Sequence, residues 1–193
     1  SSNILPAPQS PGEIQEMTES PAAFSKAVLS QWYVIYVKAR HEKRAYAHLL
    51  ERGVEAYLPL RQEIRKWSDR KKRIEVPLFS CYVFVKAVPQ KFEEVYATAG
   101  FVRFVSIKGK PCIVPEEQIE SVRKMVEYYP EDVEVAEGDY TGRDAEIVAG
   151  PLAGIRGKVI DLVGGKFFVI MIEGLNKMLR VKVHAASVKV LER

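Results

Sequence analysis

The sequence predicts an α+β protein: an N-terminal antiparallel sheet with flanking helices, then a small C-terminal β-barrel. Three observations predict it. From Gln31 to about Tyr128, β-prone runs alternate with short amphipathic segments in the order β-α-β-β-α-β-α. Beyond Tyr129-Pro130 the helical signals stop and only short strands follow, at close spacing. The charge changes at the same place: residues 31–128 carry 19 Lys and Arg against 12 Asp and Glu, and residues 129–193 carry 9 against 10.

Residues 1–30 read as a disordered leader, with Pro6, Pro8, Pro11 and Pro21, several serines and no sustained apolar period. Gln31-Trp32-Tyr33-Val34-Ile35-Tyr36-Val37 is aromatic and β-branched, hence a strand, with Trp32, Val34 and Tyr36 on one face. Ala45 and Leu49, with Tyr46 and Leu50, form a helical apolar stripe that Gly53 closes. Val54 to Leu60 is extended, and Pro59 marks a strand end. Residues 61–75 predict a hairpin with a basic tip turning at Ser68-Asp69, and Val76 to Val85 predicts one central strand. A short helix over Phe92–Thr98, a strand over Phe101–Ile107 and a helix opened by Pro115-Glu116-Glu117 complete the first unit, 31–128. Residues 129–137 read as a linker. In the last unit, 138–193, strands are expected at 145–148, 157–163, 166–172, 178–183 and 188–190, with a tight hairpin at Gly164-Gly165.

At 47% hydrophobic and 28% charged the chain is of ordinary globular composition. It has no apolar run of the roughly 18 residues a membrane helix needs, and no signal-peptide pattern, which argues for the cytoplasm and against a membrane partner. Cys81 and Cys112 are too few for a disulfide framework and wrongly spaced for a metal knuckle; both read as small buried hydrophobes. Gly150, Gly154 and Gly157 lack the Gly-Lys-Ser/Thr ending of a phosphate loop, and no nucleophile elbow or dinucleotide fingerprint is present. The expectation is a protein that is no enzyme and uses no cofactor or metal. The basic middle segment points to a polyanion.

Trp32 to Tyr36, the basic helix after it and Pro77-Leu78-Phe79-Ser80-Cys81-Tyr82-Val83-Phe84-Val85 resemble the N-terminal (NGN) domain of NusG-family transcription elongation factors. Gly150-Pro151-Leu152-Ala153-Gly154-Ile155-Arg156-Gly157-Lys158-Val159 resembles the KOW motif, which opens that family's C-terminal SH3-like barrel. Tyr36, the Pro-Leu-Phe string and Ile113-Val114-Pro115 make the pattern most similar to RfaH-like paralogs that antiterminate surface-polysaccharide operons. The resemblance implies transcription elongation and antitermination at selected operons. A housekeeping NusG-type factor and a KOW protein that binds ribosome or RNA without polymerase are the alternatives.

The resemblance also implies partners. Tyr36, Phe79, Tyr82 and Phe84 would face the clamp helices of RNA polymerase, although Phe79 and Phe84 are equally readable as core. Lys38, Arg40, His41 and Arg44, with Arg65, Lys66, Trp67, Arg70, Lys71, Lys72 and Arg73 on the hairpin, would lie near the non-template DNA strand. There the cations neutralise phosphate, and Trp67 or a histidine stacks on an exposed base. His48 and Lys43 read better as structural. Leu175 would meet a small-subunit ribosomal protein, or the barrel would meet Rho. RfaH-type C-terminal domains can mask the polymerase face as a helical hairpin. Here the β-prone Lys166 to Ile172 predicts strands in the full chain, with the Tyr36/Tyr82/Phe84 face left open.

Overall fold

The computed structural model describes residues 30–137, 141–172 and 174–191. The leader expected over 1–30 lies, up to residue 29, outside the described residues. The first unit is built on β1 (Gln31–Val37), which pairs antiparallel with β5 (Tyr82–Ala87) on one side and β6 (Phe101–Phe104) on the other. β2 (Glu55–Tyr57) extends the sheet beyond β5, and the two-residue β9 (Ile113–Val114) also pairs with β1. β3 (Leu60–Trp67) and β4 (Arg70–Pro77) form a separate two-stranded hairpin, and β7 (Ser106–Ile107) with β8 (Lys110–Pro111) a smaller one.

Both faces of the central sheet are buried, because β1 is apolar at every second residue in both registers. Tyr33, Ile35 and Val37 pack with Val83 and Val85 under α1 (Glu42–Glu51) and α2 (Phe92–Tyr96), through Ala45, Leu49 and Val95. Trp32 and Val34 pack with Phe84 on the other face, against Ile119, Val122 and Met125 of α3 (Glu116–Tyr128). The alternation read from the sequence is therefore the alternation observed.

One strand differs from its expectation. Val76 to Val85 is not continuous: Val76 and Pro77 end the hairpin, residues 78–81 turn, and the central strand starts at Tyr82. The cause is local strain held by a tertiary bond. Cys81 has φ 71°, a left-handed conformation uncommon for a residue with a Cβ. Its N–H donates to Glu42 Oε1 at 2.9 Å, and its carbonyl accepts from Val37 N–H at 2.8 Å. Glu42 is itself buried in the first turn of α1.

The second unit is a six-stranded antiparallel sheet of order β10-β14-β13-β12-β11-β15. Its strands are β10 (Glu134–Glu137), β11 (Arg143–Ile147), β12 (Arg156–Leu162), β13 (Gly165–Ile172), β14 (Lys177–Val183) and β15 (Val188–Val190). Glu134–Glu137, expected as linker, is an edge strand on β14. The β12–β13 hairpin is tight, with Leu162 opposite Gly165. This sheet is β throughout, yet it does not stand apart. Phe168, Ile170, Ile172, Leu175, Leu179 and Val181 join one continuous apolar cluster with Trp32, Val34, Phe84 and the inner face of α3.

Candidate functional site

Tyr36 and Tyr82 stand directly opposite each other at the ends of the two central strands. Their rings meet edge to face, with centroids 5.4 Å apart, a geometry favoured by the aromatic quadrupole. Both are half-buried. The Arg103 guanidinium lies 5.3 Å from the Tyr36 ring centre, and Lys177 Nζ of β14 lies 5.5 Å from that of Tyr82. Electrostatic repulsion from the Cys81 sulfur and a hydrogen bond with it hold the Tyr36 hydroxyl above its ordinary pKa, with burial and Tyr82 adding to the effect and Arg103 opposing it.

Phe79 and Phe84, with ring centroids 6.1 Å apart, belong to the apolar cluster against which Tyr82 packs. They are 1% and 0% exposed, so in this arrangement they are core. The openness expected of the Tyr36/Tyr82/Phe84 face is corrected here. The C-terminal sheet covers Tyr82 and Phe84, whose cluster its apolar inner face joins, while Tyr36 is half-buried beside Arg103. Several contacts fix the cover. Lys177 caps Tyr82, Gln118 Nε2 of α3 donates to the Met171 carbonyl, and the turn after β13 rests on Cys112. Gly174 in that turn has φ +83°, and a Cβ there would sit 2.7 Å from Cys112 Sγ, so only glycine fits without displacement. Leu175 is 6% exposed and faces the shared core rather than solvent.

Beside this face, Tyr57 stacks near Phe84, and Arg123 lies 4.7 Å from the Tyr57 ring centre and 5.7 Å from that of Trp32. Burial pushes the Tyr57 hydroxyl up to about 12. Trp32 Nε1–H donates to Glu116 Oε2 at 2.7 Å. Sequence reasoning missed Glu42, Tyr57, Arg103, Arg123 and Lys177. A lone charge or ring in an ordinary helix or strand carries no local signal, and only the fold brings these to the aromatic face.

The structure brings part of the two basic surfaces expected from the sequence together, Arg40 from one and Arg65 from the other. One hairpin face carries Arg61, Glu63, Arg65 and Trp67 from β3, opposite Val76, Ile74, Lys72 and Arg70 from β4. The base of that face and the start of α1 enclose a cleft of about 720 Å³ lined by Arg40, Lys43, Arg61 and Arg65, with Glu42, Glu63 and Glu75 among them. A single track thus runs from α1 to the hairpin tip. Lys66, Lys71 and Arg73 lie on the opposite hairpin face. Arg61 and Arg65 approach Glu63 at 3.8 and 3.7 Å, and Arg73 meets Glu131 at 3.3 Å. Lys38, Arg40, Arg44, Lys66, Arg70, Lys71 and Lys72 are exposed, and none has a described carboxylate within ion-pair distance.

His41, His48 and Lys43 are tied into the scaffold. Lys43 Nζ donates to the Glu75 carbonyl at 2.7 Å, joining α1 to the hairpin. His41 Nδ1 lies 3.1 Å from the Ala39 carbonyl, with its Cβ packed over Gly100. His48 Nδ1 accepts the Ala99 N–H at 2.9 Å. Among the described residues no group of three His, Cys, Asp or Glu is placed to hold a metal ion, and no helix is long and apolar enough to cross a membrane.

This is a mixed α/β protein of two antiparallel units, the first bearing an aromatic face and a projecting basic hairpin. Residues 30–123 match the family model described as "Transcription termination factor nusG". The N-terminal unit is thus similar to NusG-type transcription factors over just under half of the chain. Among solved structures, it is similar to Thermotoga maritima NusG, described under "Domain interaction in Thermotoga maritima NusG". That likeness has 20% identity and a TM-score of 0.50, and covers 86% of this chain and 99% of that one; at this identity it speaks for the fold alone. Two conformations of an MjSpt4:Spt5 complex also match, each 18% identical over 84% of this chain and over 97% and 99% of theirs. Their TM-score of 0.27 is too low to bear on the fold.

Proposed function

We propose that this chain is a non-enzymatic transcription elongation factor. It binds elongating RNA polymerase at the clamp helices through the Tyr36/Tyr82 face and opposes pausing or termination at selected operons, in the cytoplasm. The observation that carries this reading is the tyrosine pair itself. Two rings are held edge to face at the end of the central strands, with cations over them and a strained, Glu42-anchored turn fixing one of them. A core needs neither hydroxyls at a sheet rim nor a strained turn to present them, whereas a docking face uses rigid aromatics that bury large area at small entropic cost.

The C-terminal sheet then serves as a KOW-type barrel whose inner face covers the docking face until polymerase displaces it. Leu175 is enclosed in the docked form, so contact with a ribosomal protein or Rho through that turn requires undocking. The basic track would follow the non-template strand by phosphate neutralisation.

Pull-down with core polymerase, followed by genome-wide polymerase co-occupancy, tests the proposal. Binding with occupancy confined to a few transcription units supports it. Uniform occupancy would indicate a housekeeping factor, and ribosome association without polymerase a KOW protein of the other kind.

A further inference from the structure

We infer that residues 130–137 are a strap that ties the β3–β4 hairpin to the C-terminal sheet, so that undocking of that sheet unfastens the hairpin. The coupling goes beyond the function proposed above and depends on no particular ligand.

The hairpin has few attachments of its own. β3 and β4 pair with each other and, among the described residues, with no other strand. Their outer ends enter the core at Leu60 and Leu78. Beyond that base the hairpin is held at one rung by two neighbours. Gln62 and Glu75 stand opposite each other. Lys43 Nζ of α1 donates to the Glu75 carbonyl at 2.7 Å, and the Gln62 N–H donates to the Pro130 carbonyl at 3.1 Å. Further along β4, Arg73 meets Glu131 at 3.3 Å. One fastening therefore comes from α1, and the other from residues 130 and 131.

The far end of the strap belongs to the C-terminal sheet. Val133 is 1% exposed, in the core that the two units share. β10 then pairs with β14 along its whole length. Arg180 grips Glu134 through Nε at 3.0 Å and through a terminal nitrogen at 2.9 Å, and Lys177 lies 3.6 Å from Glu137. Val135, opposite Leu179 in that pairing, also lines the cleft between the hairpin and α1.

Length makes the tie tight. Three residues lead from Glu131 to Glu134, about 10 Å at full stretch. On so short a lead the C-terminal sheet cannot leave the first unit without breaking one end of the strap. The hairpin end is the weaker: one backbone hydrogen bond and an exposed ion pair, a kind of contact that contributes little in water. The sheet end holds a full strand pairing and two ion pairs. The strap therefore departs with the sheet. It draws Val135 from the cleft and leaves Lys43 as the hairpin's fastening beyond its base. Such coupling is reciprocal, so whatever loosens the hairpin end favours undocking.

The test follows backbone amide exchange by NMR in the full chain. Gly174→Val undocks the sheet, because a Cβ there sits 2.7 Å from Cys112 Sγ. Loss of the Gln118 side-chain bond to the Met171 carbonyl reports the undocking. The Gln62 amide should then exchange about tenfold faster, while the Ala45 amide of α1, bonded to the His41 carbonyl, keeps its rate. A four-residue Gly-Ser insertion after Glu131 should abolish the change at Gln62, because a slack strap transmits nothing. Arg73→Gln, at an exposed position, probes the reverse direction and should raise the undocked population about twofold.

Unchanged exchange at Gln62 in an undocked Gly174→Val chain would overturn the strap. Acceleration that Ala45 shares would do the same, since it reports general destabilisation. Acceleration that persists with the slack insertion would show that the signal travels by another route. If Gly174→Val does not fold, Arg73→Gln decides, and an undocked population equal to that of the parent would overturn the coupling.

Discussion

The aromatic face and the basic hairpin face solvent in opposite ways. Phe79 and Phe84 are enclosed and Tyr82 is capped by Lys177, all beneath a second sheet. The hairpin stands uncovered, with Trp67 exposed among Arg65, Lys66, Arg70, Lys71, Lys72 and Arg73, all of them exposed. The difference follows from hydration. An exposed apolar face invites association, so a free protein gains by folding something of its own over it. A charged hairpin is already solvated and mixed with Glu63 and Asp69, so it needs no cover. One surface is enclosed in this structure, and the other is open to solvent.

The comparison breaks first at Phe84. Phe84→Ala should cost about 3–5 kcal/mol of stability, the range for aromatic truncation in a closed core. Denaturant unfolding monitored by circular dichroism checks this, and a loss below about 1 kcal/mol would show that the ring is not core.

Next is the cover. Gly174→Val places a branched side chain at φ +83° with its Cβ against Cys112 Sγ. It should weaken docking by about 1–3 kcal/mol, as overpacking does, and leave both sheets folded. NMR of the full chain should show Tyr82 and α3 shifting towards an undocked state, and Cys112→Ala in the same background should restore part of the docking.

On the hairpin side, Arg40→Glu with Arg44→Glu should weaken binding to a bubble with an exposed non-template strand, with little change in stability. The loss should shrink as salt rises. Equal affinity at low salt would remove α1 from the track.

The smallest effect lies beside the aromatic face. Burial raises the Tyr57 hydroxyl to about 12 from an ordinary 10. The folded state therefore keeps this proton where the unfolded chain loses it. The associated stability is complete below pH 10 and is lost as pH rises from 10 towards 12, by on the order of 2 kcal/mol in all. Tyr57→Phe should flatten that segment of the stability profile, read by denaturant midpoints from pH 9 to 12.

Much of the fold was legible because its signals are local. The alternating faces of Gln31–Val37 and the strands between 143 and 190 follow from period and turn residues alone. The break at Leu78–Cys81 was legible only in part: Pro77 stands at its start, but no glycine or proline marks the strained Cys81, whose conformation is held by Glu42, 39 residues away. The candidate site divides likewise. Charge density revealed the hairpin and α1 as basic, but only the fold shows them lining one cleft. Phe79 and Phe84 alternate like surface anchors and core alike, because both faces of this sheet are covered. That the C-terminal sheet would be one of the covers is a long-range fact that strand propensity does not carry.

The central claim is that the tyrosine pair docks polymerase. Its most direct test is the affinity of core RNA polymerase for the parent and for Tyr36→Ala with Tyr82→Ala, each shown folded by circular dichroism. Truncating two anchor rings costs at least about 2 kcal/mol, so the account predicts binding weakened by about 30-fold or more with the two sheets intact. A folded variant that binds polymerase as tightly as the parent would contradict it.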